Sequence, residues 1–252
     1  MDTTITQSDW RKVIAEIVGT FFFFFIGIGG AIIAGATGGP GGVLYVALAH
    51  GIALALAISA LGHVSGGHFN PAVTISMLVT RRISPMLAIL YIIGQIVGGV
   101  LACLALISIF PSEAWQAVKL GTPSVVPSVN MAQAILLEAI LTFFLVLAVF
   151  GTAVDTRGKG IAGFGIGLTV FVDILVGGPI SGGVMNPARA ITPAIVSGNW
   201  NGDQIIYWVG PIIGGLIAGL LYTALFLRKE DMPSAAGQEP PRSEPGLLSG
   251  GQ

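Results

Sequence analysis

The sequence predicts an all-α membrane protein: six transmembrane helices plus two re-entrant half-helices in an inverted repeat. Three observations carry that expectation. The 252 residues are 54% hydrophobic and only 9% charged, against about 25% charged in an ordinary soluble domain. Six apolar stretches are each long enough to cross a bilayer, which takes about 20 residues. The tripeptide Asn-Pro-Ala occurs twice, at Asn70-Pro71-Ala72 and Asn186-Pro187-Ala188, each time opening an apolar segment too short to cross.

The expected spans are roughly 13–34, 43–62, 85–109, 131–152, 160–178 and 204–227, and the short segments about 70–79 and 186–196. The first stretch has no clear cleavage site and reads as a retained helix rather than a leader. Residues 1–12 form a short N-terminal segment and 13–227 the membrane domain. Residues 228–252, rich in Pro, Gly, Ser and charge, read as a disordered tail. Basic residues set the orientation. Arg11, Lys12, Arg81, Arg82, Arg157, Lys159, Arg228, Lys229 and Arg242, nine of the eleven, fall on one side, leaving Lys119 and Arg189 apart. Both termini are therefore expected in the cytoplasm, with the chain in the cell (inner) membrane.

A net charge of −1 gives no ground for a nucleic-acid partner; the lipid bilayer is the partner that composition implies. The single cysteine, Cys103, excludes an internal disulfide and a multi-cysteine metal site, and its apolar surroundings make it a packing residue. No nucleophile constellation or metal cluster is legible, so neither enzyme activity nor a cofactor is expected.

The halves repeat, with segments of about 13–110 and 131–227. Ser65-Gly66-Gly67-x-x-Asn70-Pro71-Ala72 matches Ser181-Gly182-Gly183-x-x-Asn186-Pro187-Ala188 at an offset of 116 residues, which also maps Tyr91, Gly94, Gly98 and Gly99 onto Tyr207, Gly210, Gly214 and Gly215. Glu16-x-x-x-Thr20-Phe-Phe has its counterpart in Glu138-x-x-x-Thr142-Phe-Phe. Each half holds three spans, an odd number, so the halves run oppositely through the membrane. Inverted repeats with broken helices place a shared site near the midplane. Non-helical backbone at that depth is tolerated only where protein buries it or water bathes it.

Asn before Pro starts a helix well: the Asn caps it, and proline at the first position loses no hydrogen bond. A helix N-terminus carries about half a positive charge. Two half-helices meeting head to head put two such ends at the centre of a pore, where they oppose cations. Asn70 and Asn186 then keep their side-chain oxygens on their own helices and donate from the amides into the lumen.

These residues resemble the aquaporin, or major intrinsic protein, family over about residues 10–227. Besides the two Asn-Pro-Ala motifs, Gly62-His63-Val64-Ser65-Gly66-Gly67-His68 and Arg189 carry the likeness. The resemblance implies an aquaporin-like channel domain, a homotetramer with one pore per subunit, and passage of water and small neutral solutes. It also implies a selectivity filter at four positions: His50, Ile174, Gly183 and Arg189. That set is similar to tonoplast intrinsic proteins of the ammonia-permeable subgroup, although residues 110–130 lack the histidine which that subgroup adds. Ala190 after the filter arginine and Tyr207-Trp208 favour water over glycerol within the resemblance.

Individual side chains refine the expectation. A neutral His50 offers one donor and one acceptor to a solute. His68 is expected to face the cytoplasmic half of the pore and His63 to brace the re-entrant loop. Gly66, Gly67, Gly182 and Gly183 are expected to expose carbonyls to water. Glu16 and Glu138 are expected to accept hydrogen bonds from the re-entrant loop of their own half. Asp173 either braces the filter or faces a neighbouring subunit. Phe21 to Phe25 are lipid and helix packing, and Gly94-x-x-x-Gly98 and Gly210-x-x-x-Gly214 allow close helix crossings. The leading function is a passive water channel, with ammonia as a further solute. A glycerol or small-solute facilitator is the alternative, and an ion-coupled transporter using Glu16, Glu138 and Asp173 a weaker one.

Overall fold

The computed structural model describes residues 6–39 and 41–232. Helix α1 (Gln7–Thr37) starts before the expected residue 13 because Thr6 and Asp9 form a capping box, drawing the charged segment at Arg11 and Lys12 into the helix. Then come α2 (Gly42–Ser65), the half-helix α3 (Pro71–Val79) and α4 (Pro85–Ile109), which Ser84 caps. A short α5 (Ser112–Ala117) lies in the following loop, where no helix is expected from sequence. The second half has α6 (Met131–Val149), α7 (Ala162–Ser181), the half-helix α8 (Pro187–Ser197) and α9 (Ile206–Leu225). At the end of α6 the backbone changes to a π-helical turn, Phe150–Val154. The six long helices are all apolar enough to cross a membrane.

Packing follows the repeat. α1 lies on α2 and α4, α6 lies on α7 and α9, and α2 meets α7 across the pseudo-symmetry axis. The half-helices exchange partners: α3 of the first half packs on α9, and α8 of the second half on α4. Two equivalent glycines allow close crossings. A Cβ on Gly98 would overlap the Ile17 carbonyl, and one on Gly214 the Ala139 carbonyl. The outer faces expose Ile14, Val18, Ile93 and Ile217, which suits contact with lipid.

Both described ends of the chain lie on one face, called here the terminal face. There the chain continues past residue 227 into a short 3-10 turn, Lys229–Asp231. Arg82 Nη2 donates to the Asp231 carbonyl at 3.1 Å, and Thr156 Oγ1 donates to Asp231 Oδ2 at 3.2 Å. The rest of the expected tail, 233–252, and residues 1–5 lie outside the described residues.

Candidate functional site

The two half-helices meet at their N-termini, and their asparagines tie the halves together. Asn70 Oδ1 accepts from Ala72 N at 2.9 Å, and Asn186 Oδ1 accepts from Ala188 N at 3.0 Å and Arg189 N at 3.3 Å. The amides cross over. Asn70 Nδ2 donates to the Met185 carbonyl and Asn186 Nδ2 to the Phe69 carbonyl, both at 2.9 Å. One of each amide's two hydrogens is thus spent on the opposite loop, and one is left for the centre. Phe69 and Met185 present their carbonyls this way from left-handed backbone, φ 46° and 55°. That conformation costs about 1–2 kcal/mol for a residue with a side chain.

Buried carboxylates hold those two residues in place. Glu16 accepts from Ser65 Oγ, His68 N, Phe69 N and Gln95 Nε2 at 2.7–2.9 Å. Glu138 accepts from Ser181 Oγ, Val184 N and Met185 N at 2.6–3.1 Å. Tyr91 and Tyr207 then donate to the Ser65 and Ser181 carbonyls at 2.8 and 2.7 Å.

A cavity of about 480 Å³ passes this junction. Its walls are largely aliphatic: Val46, Leu54 and Ile58 from α2 face Ile166, Val170 and Ile174 from α7 at helical spacing. His50, Ile174, Gly183 and Arg189 all line it, as do Asn70, Asn186, His68, Gly67 and Gly182. Arg189 Nε donates to His50 Nε2 at 3.0 Å, and its Nη1 donates to the Gly121 carbonyl at 2.9 Å. His50 Nδ1 lies 2.9 Å from the Val46 carbonyl. A carbonyl only accepts, so Nδ1 carries the hydrogen and Nε2 accepts from the arginine. Both ring nitrogens are therefore occupied, which corrects the expectation that His50 offers a free donor and acceptor. The ring is boxed in by Phe23, edge-on at 5.9 Å, and by Gly27, where a Cβ would overlap it.

Other residues fall elsewhere. His63 is exposed, makes no hydrogen bond among the described residues, and lines a recess at the terminal face with Ser59, Gly66 and Ala153. Tyr91 and Tyr207 brace the loops instead. Glu16 and Glu138 do not line the cavity. Asp173 is buried, and its Oδ2 has no partner among the described residues. Cys103 is buried away from the cavity. Sequence reasoning missed Gly121, Gln95 and Thr74. For Gly121 the one signal was a small residue in a loop. Its contact depends on three successive left-handed residues, Lys119, Leu120 and Gly121, which no local pattern announces.

Six spans, two half-helices meeting head to head and a polar-centred cavity between inverted repeats define a membrane channel. The model for the family described as Major intrinsic protein matches residues 3–222. The chain is 42% identical over 245 residues to Aquaporin TIP4-4 of Zea mays, covering 93% of this chain and 92% of that protein. It is 44% identical over 218 residues to Aquaporin-8 of Mus musculus, covering 85% and 82%. The X-ray structure of the aquaglyceroporin from Plasmodium falciparum superimposes with a TM-score of 0.73 at 24% identity, over 85% of this chain and 95% of that one, a likeness of fold. The chain belongs to the major intrinsic protein, or aquaporin, family. It is a multi-pass membrane protein, and members of the family are channels, not enzymes.

Proposed function

We propose that this protein is a passive channel for water. The observation that carries the reading is the crossed asparagine pair, which leaves two amide hydrogens for the centre of an otherwise aliphatic cavity. Two helix N-termini and Arg189 there oppose cations. His50, Ile174, Gly183 and Arg189 form the constriction, with the Gly121 carbonyl as a fifth element. Glu16 and Glu138 serve as braces, since every polar contact they make goes to their own half, which argues against an ion-coupled transporter. A second reading, that ammonia also passes, is supported by the aliphatic Ile174 and by a filter histidine with no free nitrogen. Membership of the family supports a homotetramer in the cell membrane, and the distribution of Lys and Arg supports cytoplasmic termini; a fluorescent or phosphatase fusion at the C-terminus tests the orientation.

Proteoliposomes in stopped-flow light scattering, under water, glycerol and ammonia gradients, test the function. Water flux equal to that of empty liposomes would falsify it. Exchanging His50 for Phe and Ile174 for His narrows the constriction, so ammonia and glycerol flux should fall more than water flux. Unchanged ratios would remove these positions from the filter.

A further inference from the structure

The first half of the molecule contains a polar relay that the second half lacks. Thr74, one turn into α3, places its hydroxyl oxygen 3.0 Å from the Asn70 carbonyl, 3.0 Å from Gln95 Nε2 and 3.1 Å from His68 Nδ1. A hydroxyl has one hydrogen and two lone pairs. The Asn70 carbonyl can only accept, so it takes the hydrogen. Gln95 Nε2 can only donate, and its second hydrogen goes to Glu16 Oε2 at 2.8 Å. A flipped amide would set its oxygen against that carboxylate. One lone pair remains for His68, so Nδ1 must donate to it and must carry the ring hydrogen. A neutral histidine protonated at Nδ1 has a bare Nε2. Nε2 makes no hydrogen bond among the described residues, and His68 lines the cavity.

We propose that Thr74 is a positioning residue for conduction: with its hydrogen on the Asn70 carbonyl its hydroxyl can only accept from His68, which fixes the Nδ1–H tautomer, so that His68 offers the lumen an acceptor and no donor. The proposal rests on the cavity conducting water. A file of water then meets two donors at the centre, on Asn70 and Asn186, and an acceptor one step toward the terminal face. The opposite tautomer would place a second donor there and remove the acceptor.

The relay is not a requirement of the half-helix architecture. At the repeat offset of 116 residues, Gln95, Thr74 and His68 correspond to Pro211, Ala190 and Val184. The second half-helix keeps its asparagine cap, its carboxylate brace and its tyrosine with none of the three. What the relay adds is therefore specific to the terminal side of the lumen, where its end group faces the cavity.

Solid-state NMR of the histidine-labelled protein in bilayers at neutral pH reads the tautomer directly, because a bare ring nitrogen resonates far from a protonated one. Three histidines are present, and an H68N sample identifies the signal by its loss. In the wild type, His68 should show a protonated Nδ1 and a bare Nε2. Thr74→Val should shift population to Nε2–H and lower water permeability per channel by about two- to tenfold, the range set by one net hydrogen bond. Thr74→Ser should restore both. His50 serves as the control for folding, since its own Nδ1–H bond to Val46 is independent of the relay. If Thr74→Val disturbs the His50 signal, Thr74→Ala decides. An Nε2–H tautomer in the wild type, an unchanged tautomer in Thr74→Val, or a changed tautomer with unchanged permeability each overturns the proposal. Absence of water flux in the wild type defeats the water-channel reading instead and leaves the tautomer result standing.

Discussion

At the scale of single residues, a buried carboxyl group is placed where donors already wait. Glu138 is buried and accepts from Ser181 Oγ at 2.6 Å, Met185 N at 2.8 Å and Val184 N at 3.0 Å. Each donor left unpaired after truncation costs about 1–3 kcal/mol. Glu138→Ala should therefore destabilise the protein by about 3 kcal/mol or more, read as a lower Tm in detergent; a wild-type Tm would show that the loop stands without the carboxylate. Cys103 supports a second prediction. It is buried and lines no part of the cavity, and Gly183, which does line it, offers no thiol. Mercurials should inhibit water flux weakly; strong block abolished by Cys103→Ser would contradict its placement. His50 teaches a different lesson. Its identity was legible, but what it offers a solute was not, because Arg189, 139 positions away, occupies the nitrogen that a lone histidine would present.

At the scale of elements, the terminal-face loop after α6 is held by a compact ionic cluster. Arg157 Nε donates to Asp155 Oδ1 at 2.9 Å, Tyr222 OH to Asp155 Oδ2 at 3.1 Å, and Arg157 Nη2 to the Phe226 carbonyl at 2.8 Å. The Arg157 guanidinium, with further bonds from the Arg157 amide and Tyr222, holds the Asp155 carboxyl well below its ordinary 3.8. A carboxyl lowered in this way stabilises the folded loop above its ordinary value. The contribution is lost as pH falls through that value toward the depressed one. The wild type should lose stability on acidification below about pH 4, and Asp155→Asn should show a flatter profile over the same window. Equal slopes in a Tm-against-pH series would rule out the cluster as a source of acid sensitivity. Element ends were the weakest part of the sequence reading. α2 and α7 run to Ser65 and Ser181, past the expected 62 and 178, because glycines at 66 and 182 accept the left-handed cap, φ 92° and 97°.

At the scale of the whole molecule, the two halves are locked by contacts that neither half makes alone. Asn70 reaches Met185, Asn186 reaches Phe69, and each half-helix packs on a span of the other half. The two asparagines share one junction, so their losses should not add. Asn70→Ala and Asn186→Ala should each lower the Tm, and the double variant should cost clearly less than their sum. Strict additivity would mean the crossed bonds are energetically separate. The number of spans, their opposed halves and the two helix starts at Asn70 and Asn186 are legible along the chain. Length, hydropathy, parity and an Asn-Pro cap are local or countable properties, and the bilayer admits few other arrangements. Which atoms of those residues remain available to a solute follows from the packing of the helices. The crossing amides, the Gly121 carbonyl on Arg189, the closed-off ring of His50 and the Gln95–Thr74–His68 relay all join residues distant in sequence. A hydrogen bond between such residues depends on how helices cross, and helix crossing is a property of the packed whole rather than of any window along the chain.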